Sequence, residues 1–526
     1  MAMASALSVG AAAYLNAKLA ISTDISTIYN DRAFTARLGQ RIAQLGDTTT
    51  IYKMLERVIE VDGHGSSDAL WFENKTWTYS QLKDRTIDDT FIHCLNVSGS
   101  KFIISTPDLS EFVCSDLPHI ALNISSFDGE SAGTTELITA AQLQQLIPLG
   151  LIPAKRSPSD FCALIYTSGT TGKPKACAIR NMMTLVTSNP LSTDANNQSK
   201  YFPLRTYSPL PLFHGTAFFT GLCYSLGNAS TLCLRRKFSA SQFWKDVHDS
   251  RATRILYIGE LCRYLLSTPP SPYDQDHSCI VATGNGLRGE IWERFRQRFA
   301  VPEIREFYRS TEGVAKFDNH GVGAWGAGKI GFSGPIRRFF EDDVFIVKYD
   351  TETEMPYRDP KTGFCVRAKL GEEGEAIGRV RNRGLLTEYL HNEDATEKKL
   401  LRDVFEKGDI FQRTGDLVVQ DRDGWVKFQD RVGDTFRWKG ENVSAGEIRD
   451  HICRIPSVHD AVVYGVKLQG VATGVTFKQA KGDLAKKGWD PREDWKGDKL
   501  YWLNGKTYEK LDERSWSSIE SGQAKL

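Results

Sequence analysis

An α/β fold of two or three packed units is what this sequence predicts, on three observations. Short apolar runs alternate with helical stretches along the chain, with no internal repeat and no low-complexity run. At 526 residues the chain is too long for one compact core. Hydrophobic residues make up 41% and charged residues 25%, the balance of an ordinary globular protein, so a sizeable core is available.

Taken in order, residues 1–20 are Ala-rich and mildly apolar but lack a basic start and are interrupted by Asn16 and Lys18. They read as a surface helix or frayed terminus, with a membrane-leaning anchor as the alternative; no other segment reaches spanning length. The apolar run 161–166 predicts a buried strand that ends in a burst of Thr, Ser and Gly. Ser239 to Gln242 has capping-box spacing and predicts a helix that hands over to a strand at 254–258. Residues 260–266 read as a helix halted by Pro269 and Pro270, and 303–307 as a further strand. The run 431–444 is polar and Gly-containing, as a hinge between domains should be. A second capping box, Ser444 to Glu447, opens a helix that Pro456 closes before a strand at 461–464.

Charge and cysteine usage exclude several classes of partner. With 66 Lys and Arg against 65 Asp and Glu there is no overall field to hold a polyanion, so nucleic acid is not expected. The ten cysteines are scattered without C-x-x-C spacing and read as buried free thiols in a reducing, intracellular setting. At the other end, Ala524-Lys525-Leu526 is close to a Ser-Lys-Leu peroxisomal address, with a merely structural tail as the alternative.

Chemistry concentrates in residues 166–175, Tyr-Thr-Ser-Gly-Thr-Thr-Gly-Lys-Pro-Lys, directly after the first strand. Gly169 and Gly172 let backbone N–H groups approach an anion. Thr167, Ser168, Thr170 and Thr171 add hydroxyl donors, and Lys173 and Lys175 bring positive charge. The ordinary nucleotidase P-loop is excluded. It needs four residues between its glycines and a hydroxyl after Gly-Lys, whereas here two intervene and Pro174 follows.

This decapeptide resembles the phosphate-binding signature of the adenylate-forming (AMP-binding) superfamily. Residues 257–266, 284–288 and 434–443 resemble its very-long-chain acyl-CoA synthetase and fatty-acid transport protein branch, and together the matches cover most of 150–465. The resemblance implies a large multi-subdomain α/β domain of mixed sheets and helices over 1–431. It also implies a small α+β C-terminal domain over 432–526 that looks truncated. Apparent internal deletions fall near 85–90 and 467–472.

The resemblance also implies roles for single residues. In 308–312, Tyr308 would stack on adenine, Thr311 would meet the α-phosphate and Glu312 would hold magnesium, a hard cation that seeks oxygen ligands. Arg309 stands where the family usually has glycine, which puts the tightness of that turn in question. Asp416 would bind the ribose hydroxyls, with a solvated turn aspartate as the alternative, and Arg431 would also touch the ribose. Gly433 would be the pivot between two working states and Lys478 the adenylating lysine. Gly284 and Asn285 would run along the adenine face or form a simple strand-to-helix turn. His214 would line the acyl and nucleotide pockets or be a structural histidine.

The implied activity is an ATP-dependent ligase that joins a long- or very-long-chain fatty acid to coenzyme A through an acyl adenylate, with ATP, magnesium and coenzyme A as its small-molecule partners. Two alternatives stay open. One is a non-catalytic relative serving fatty-acid uptake; the other is a CoA ligase for an unusual secondary-metabolite acid. Peripheral membrane association is a further expectation, and oligomeric state is not indicated.

Overall fold

In the computed structural model, the described residues are 12–45, 51–72, 74–79, 103–105, 119–121, 157–167, 175–321, 323–350, 353–432, 435–438, 441–452, 463, 501–504 and 507–520. The chain divides into two compact units. The first comprises 1–345, 377–414 and 420–427, and the second 346–376, 415–419 and 428–526. The expected deletions near 85–90 and 467–472, and the strand at 461–464 apart from Val463, lie outside the described residues, as does the C-terminal tripeptide.

Runs of β-branched and aromatic residues buried on both faces build the centre of the first unit. Six strands lie parallel, in the order Glu303–Tyr308, Val281–Asn285, Arg254–Ile258, Arg205–Ser208, Thr231–Leu234 and Asp68–Phe72. The antiparallel strands Phe317–Asn319 and Lys75–Thr78 close the two edges of this eight-stranded sheet. Parallel neighbours need crossovers. Gly259–Ser267 connects the strand Arg254–Ile258 to Val281–Asn285, and Gly289–Arg298 connects that strand to Glu303–Tyr308. The first of these helices matches the expected 260–266 and stops before Pro269 and Pro270, as expected. Phe243, Trp244, Leu261, Leu265, Trp292, Phe295 and Phe299 fill the core between helices and sheet.

Charge is also buried here, in pairs. Arg305 donates to Asp194 at 2.6 Å, and the same carboxylate accepts from the Tyr224 hydroxyl at 2.6 Å. Arg254, wholly enclosed, donates to Thr206 Oγ1 and lies 4.4 Å from the centre of the Tyr224 ring. Removing either partner of such a pair leaves a buried uncompensated charge.

The helix Ile21–Leu45 belongs to the same unit, and its Asp24 is fully buried. The Asp24 carboxylate accepts from the backbone N–H of Gly334, Ile336 and Arg337 at 2.7–2.9 Å. A remote side chain thus caps the short helix Pro335–Phe340, whose own Gly334 cannot. Arg37 and Arg41 fasten the far end of the long helix to backbone carbonyls of Pro190, Ser188 and Gly227. Among the described residues no helix is long and apolar enough to cross a membrane.

Phe161–Thr167 and Lys175–Arg180 form an antiparallel hairpin, with Glu388–Tyr389 paired on the outer side of the second strand. The strand at 161–166 is therefore present, but at the edge of its sheet among the described residues it is only half-buried, with Ile165 its one buried residue, and not the buried strand expected. The glycine loop joins two antiparallel strands. Helix Phe243–Asp249 begins three residues later than a Ser239 cap would start it: Gln242 is the N-cap and makes no side-chain cap bond. Ser239 Oγ faces Ser241 Oγ at 3.3 Å, and Gln242 N donates to the Ser239 carbonyl, so a tight turn takes the place of the capping box.

In the second unit, Tyr349 and Asp350 pair with Met355 and Pro356, and isolated bridges join Val347 to Arg367 and Arg358 to Cys365. The run 431–444, expected as a hinge, contains an antiparallel hairpin, Thr435–Trp438 against Glu441–Ser444. Its apolar residues alternate at Phe436 and Trp438, which is strand periodicity within a polar segment. Helix Ala445–Ile452 follows, as the Ser444 signal predicts. A second hairpin, Tyr501–Asn504 with Thr507–Lys510, precedes helix Glu513–Glu520. Among the described cysteines all seven are free and six are buried, which agrees with the thiol reading.

Candidate active site

Two neighbouring parallel strands in the first unit end side by side. Gly284 is in register with Glu306, so the Gly284-Asn285-Gly286 turn and the 308–312 segment leave the sheet together at its carboxyl edge. In open parallel sheets this edge is where ligands bind.

The turn is shaped by close approach. A Cβ on Gly284 would stand 2.2 Å from the Tyr257 carbonyl oxygen, one on Gly259 would stand 1.7 Å from the Gly286 carbonyl oxygen, and Gly286 itself has φ +80. Only glycine fits these places. Beneath the turn lies Glu306, a buried carboxylate in a strand that also carries Glu303 and Arg305. It accepts from the Tyr257 hydroxyl and from the backbone N–H of Gly286 and Leu287. Burial pushes its acid up to about 8 despite these three donors.

Beyond this strand, Tyr308 packs its ring 5.6 Å from that of Phe317. Arg309 adopts no left-handed backbone, so a side chain is tolerated where the family has glycine. Its guanidinium grips both oxygens of Asp318 at 2.8 and 3.0 Å. Burial would raise the Asp318 carboxyl, but Arg309, with His320 nearby, holds it down at about 2. Thr311 faces Gly215, on which a Cβ would lie 3.7 Å from Thr311 Oγ1. The Pro211-to-Gly215 segment therefore borders the site, with His214 exposed on it.

Glu312 joins the two halves of the arrangement. Its Oε1 accepts the Tyr389 hydroxyl at 2.8 Å and lies 3.4 Å from Lys399 Nζ, while Gln412 Nε2 donates to its carbonyl oxygen at 3.0 Å. Tyr389 pairs in register with Cys177 of the hairpin, and Lys175 Nζ lies 5.4 Å from the centre of its ring. Thr167 and Lys175 are in register at the mouth of the loop, and Thr167 Oγ1 is 3.7 Å from Cys177 Sγ. Burial, and then the Glu312 charge, push the Tyr389 hydroxyl up and the Cys177 thiol up to about 12. Both groups remain protonated and Tyr389 remains a donor.

The structure thus brings together Thr167, Lys175, Thr311 and Glu312, and places Gly284, Asn285 and Tyr308 at the same sheet edge. Ser168, Gly169, Thr170, Thr171, Gly172 and Lys173 span the loop tip outside the described residues, as do Gly433 and Lys478. In the second unit, Arg431 Nε lies 3.5 Å from Asp416 Oδ1, and the neighbouring Gly415, φ +76, donates its N–H to Glu375 Oε1. The two expected ribose residues therefore form a pair. Glu306, Tyr389 and Lys399 are additions that sequence reasoning missed. Glu306 is one of three charged residues in its strand, with Glu303 and Arg305, and like Tyr389 and Lys399 it carries no local signal that singles it out.

Two atoms test whether these residues suit a nucleotide and a divalent metal. Asn285 Oδ1 is enclosed and has no partner among the described residues, an acceptor suited to an exocyclic amino group. Glu312 Oε2 likewise has no partner among them, and a hard cation seeks such an oxygen. Both fit.

Comparison with known proteins gives the family and the fold. The family model described as AMP-binding enzyme matches residues 78–367. Long-chain fatty acid transport protein 2 of Rattus norvegicus is 38% identical over 72% of this chain and 61% of its own length. The very long-chain fatty acid transport protein of Cochliobolus heterostrophus is 32% identical over 93% of this chain and 81% of its own length. Isopenicillin N epimerase component 1 of Hapsidospora chrysogena is 42% identical over 58% of this chain and 50% of its own length. The chain thus spans less than two thirds of the rat and Hapsidospora relatives.

Two solved structures share the fold. An anthranilate CoA ligase in complex with anthranoyl-AMP has TM-score 0.58 at 17% identity, covering 79% of this chain and 84% of that one. An O-succinylbenzoate CoA synthetase in complex with ATP and magnesium has TM-score 0.55 at 19% identity, covering 79% and 87%. The chain belongs to the AMP-binding, adenylate-forming enzyme family, in the branch of the long-chain and very-long-chain fatty acid transport proteins.

Proposed function

We propose that this protein is an ATP-dependent acid–thiol ligase that activates a long- or very-long-chain fatty acid as its acyl adenylate and transfers it to coenzyme A. The observation that carries the reading is the junction at Tyr389, which ties the mouth of the glycine loop at Thr167 and Lys175 to the Glu312 carboxylate. The fatty-acid class rests on the names of the rat and Cochliobolus relatives.

The attacking group is the substrate's own carboxylate, so no protein nucleophile is needed. It strikes the α-phosphorus and expels pyrophosphate, and the thiol of coenzyme A then displaces AMP from the mixed anhydride. The chain's task is to hold donors and positive charge where negative charge grows. We assign Lys173, Thr311 and the loop N–H groups to that task, Asn285 and Tyr308 to adenine, and Asp416 and Arg431 to ribose. Lys478 is assigned to adenylation and Gly433 to the pivot. Glu312 would hold magnesium, which supplies further charge neutralisation at the phosphates.

A panel of carboxylic acids assayed for pyrophosphate release and thioester formation tests the proposal. Lys173→Ala and Glu312→Ala should each slow turnover by about 10²–10³; an unchanged rate in either removes that residue from the site. Lys478→Ala should slow adenylation yet spare thioester formation from a supplied acyl adenylate. Nucleotide binding without pyrophosphate release on any acid would instead identify a non-catalytic relative. The 42% identity to isopenicillin N epimerase component 1 favours a second reading, a ligase for a secondary-metabolite acid. That reading predicts thioester formation with peptide-like acids and none with palmitate.

A further inference from the structure

The two oxygens of the Glu312 carboxylate are used unequally. Oε1 is taken by the Tyr389 hydroxyl at 2.8 Å and approached by Lys399 Nζ at 3.4 Å, whereas Oε2 has no partner among the described residues. The backbone of this residue is fixed as well: Gln412 donates to the Glu312 carbonyl and accepts from Val314 N at 2.9 Å. The main chain of Glu312 is therefore held in place by Gln412, and the orientation of its carboxylate by the Tyr389 hydroxyl.

We infer that Tyr389 and Lys399 are positioning residues that claim Glu312 Oε1, so that the carboxylate meets its metal through Oε2 alone and the site selects a small divalent cation. The inference rests on the proposed role of Glu312 as metal holder and specifies how that role is performed. Magnesium demands near-octahedral geometry and is held through one or two carboxylates while keeping several waters. Calcium is larger and readily takes both oxygens of one carboxylate. A carboxylate with one oxygen already accepting a hydrogen bond beside a lysine charge is a poorer chelator, which disfavours calcium. Lys399 adds a second effect. Its charge beside Oε1 weakens the carboxylate's pull on a bare cation, so metal binding comes to depend on the phosphates that arrive with it. Tyr389 also sits in register with the hairpin and beneath Lys175, so the committed oxygen is fixed relative to the strand that leaves the phosphate loop.

Manganese, visible by electron paramagnetic resonance and close to magnesium in chemistry, is the probe. It is titrated into the full chain with and without a non-hydrolysable ATP analogue, and then competed with magnesium or calcium. With the hydroxyl gone in Tyr389→Phe, Oε1 is released, and calcium should gain about tenfold on magnesium as a competitor. In Lys399→Met, nucleotide-free manganese should bind several-fold tighter. The Lys399 side chain is one-third exposed, so this variant keeps the test open should Tyr389→Phe fold poorly. A merely structural role for either residue would lower the melting temperature without moving the calcium-to-magnesium ratio. An unchanged ratio in Tyr389→Phe together with unchanged metal affinity in Lys399→Met overturns the inference. Wild-type manganese affinity in Glu312→Gln overturns the metal role of Glu312 itself, and the two failures are thereby distinguished.

Discussion

Replacing Glu306 by glutamine should flatten the dependence of stability on pH. The carboxyl is raised from its ordinary 4.5 to about 8 by burial, which outweighs the donors Tyr257, Leu287 and Gly286. Between those two values the folded protein keeps the proton and the unfolded chain releases it, so folding takes up a proton from solution. A raised acid contributes stability that is complete below pH 4.5 and is lost as pH climbs toward 8. At about 1.4 kcal/mol per pH unit across that window, the loss is on the order of 3–4 kcal/mol between pH 5 and pH 8. Glu306→Gln keeps the shape and an acceptor for the Gly286 and Leu287 N–H groups but has no proton to lose. Thermal and urea midpoints of both proteins, measured at each pH from 5 to 8, give the difference directly, and other titrating groups cancel in it. The wild type should fall toward the variant's stability or below it as pH rises. Parallel curves would refute the burial argument. A wild type that gains on the variant with rising pH would show that the three donors win and the group is ionised.

Two further outcomes follow from the packing. Asp24→Ala strips the acceptor from three backbone N–H groups at Gly334, Ile336 and Arg337 and should cost about 2–4 kcal/mol, read as a lowered melting temperature, with Asp24→Asn losing less. Gly259→Ala drives a methyl into the Gly286 carbonyl and must displace the Gly284-Asn285-Gly286 turn. It should lower the melting temperature and weaken ATP-analogue binding together, and an unchanged affinity would detach that turn from the nucleotide site.

Local chemistry made part of this molecule readable and long-range register hid the rest. The strands at 161–166 and 254–258 were both legible from their apolar runs, but only the second is buried nearly throughout. In the first Ile165 alone is buried and Phe161 is exposed, because burial depends on where the sheet places the strand. The glycine loop was legible from its own residues too, since its composition answers to the anion it would hold. What the loop connects was not legible: Lys175–Arg180 is strand by virtue of pairing with Phe161–Thr167 on one side and Glu388–Tyr389 on the other. Ser239 carries the spacing of a cap, yet its hydroxyl turns to Ser241, a competition that spacing cannot express. Asp24 caps a helix some three hundred residues away. Glu306 is a site neighbour because Gly284 lies opposite it in the sheet. Tyr389 and Lys399 reach Glu312 from a segment whose only local signal is the Asn392 cap of the short helix between them.

Two kinds of sheet therefore share one site, and Tyr389 is where they are coupled. The parallel sheet brings Asn285, Tyr308, Thr311 and Glu312 to its carboxyl edge, whereas the antiparallel hairpin carries the loop. Left to themselves these are separate cooperative structures, free to shift against each other by the few tenths of an ångström that matter to catalysis. Tyr389 belongs to the hairpin sheet through its pairing with Cys177, yet its hydroxyl binds the carboxylate carried by the parallel sheet's outgoing segment. Displacing the hairpin consequently displaces a hydrogen bond to Glu312, the residue proposed to hold the metal. Under the proposed function, phosphate grip and metal placement would then be one mechanical event, as a reaction driven by the placement of charge requires.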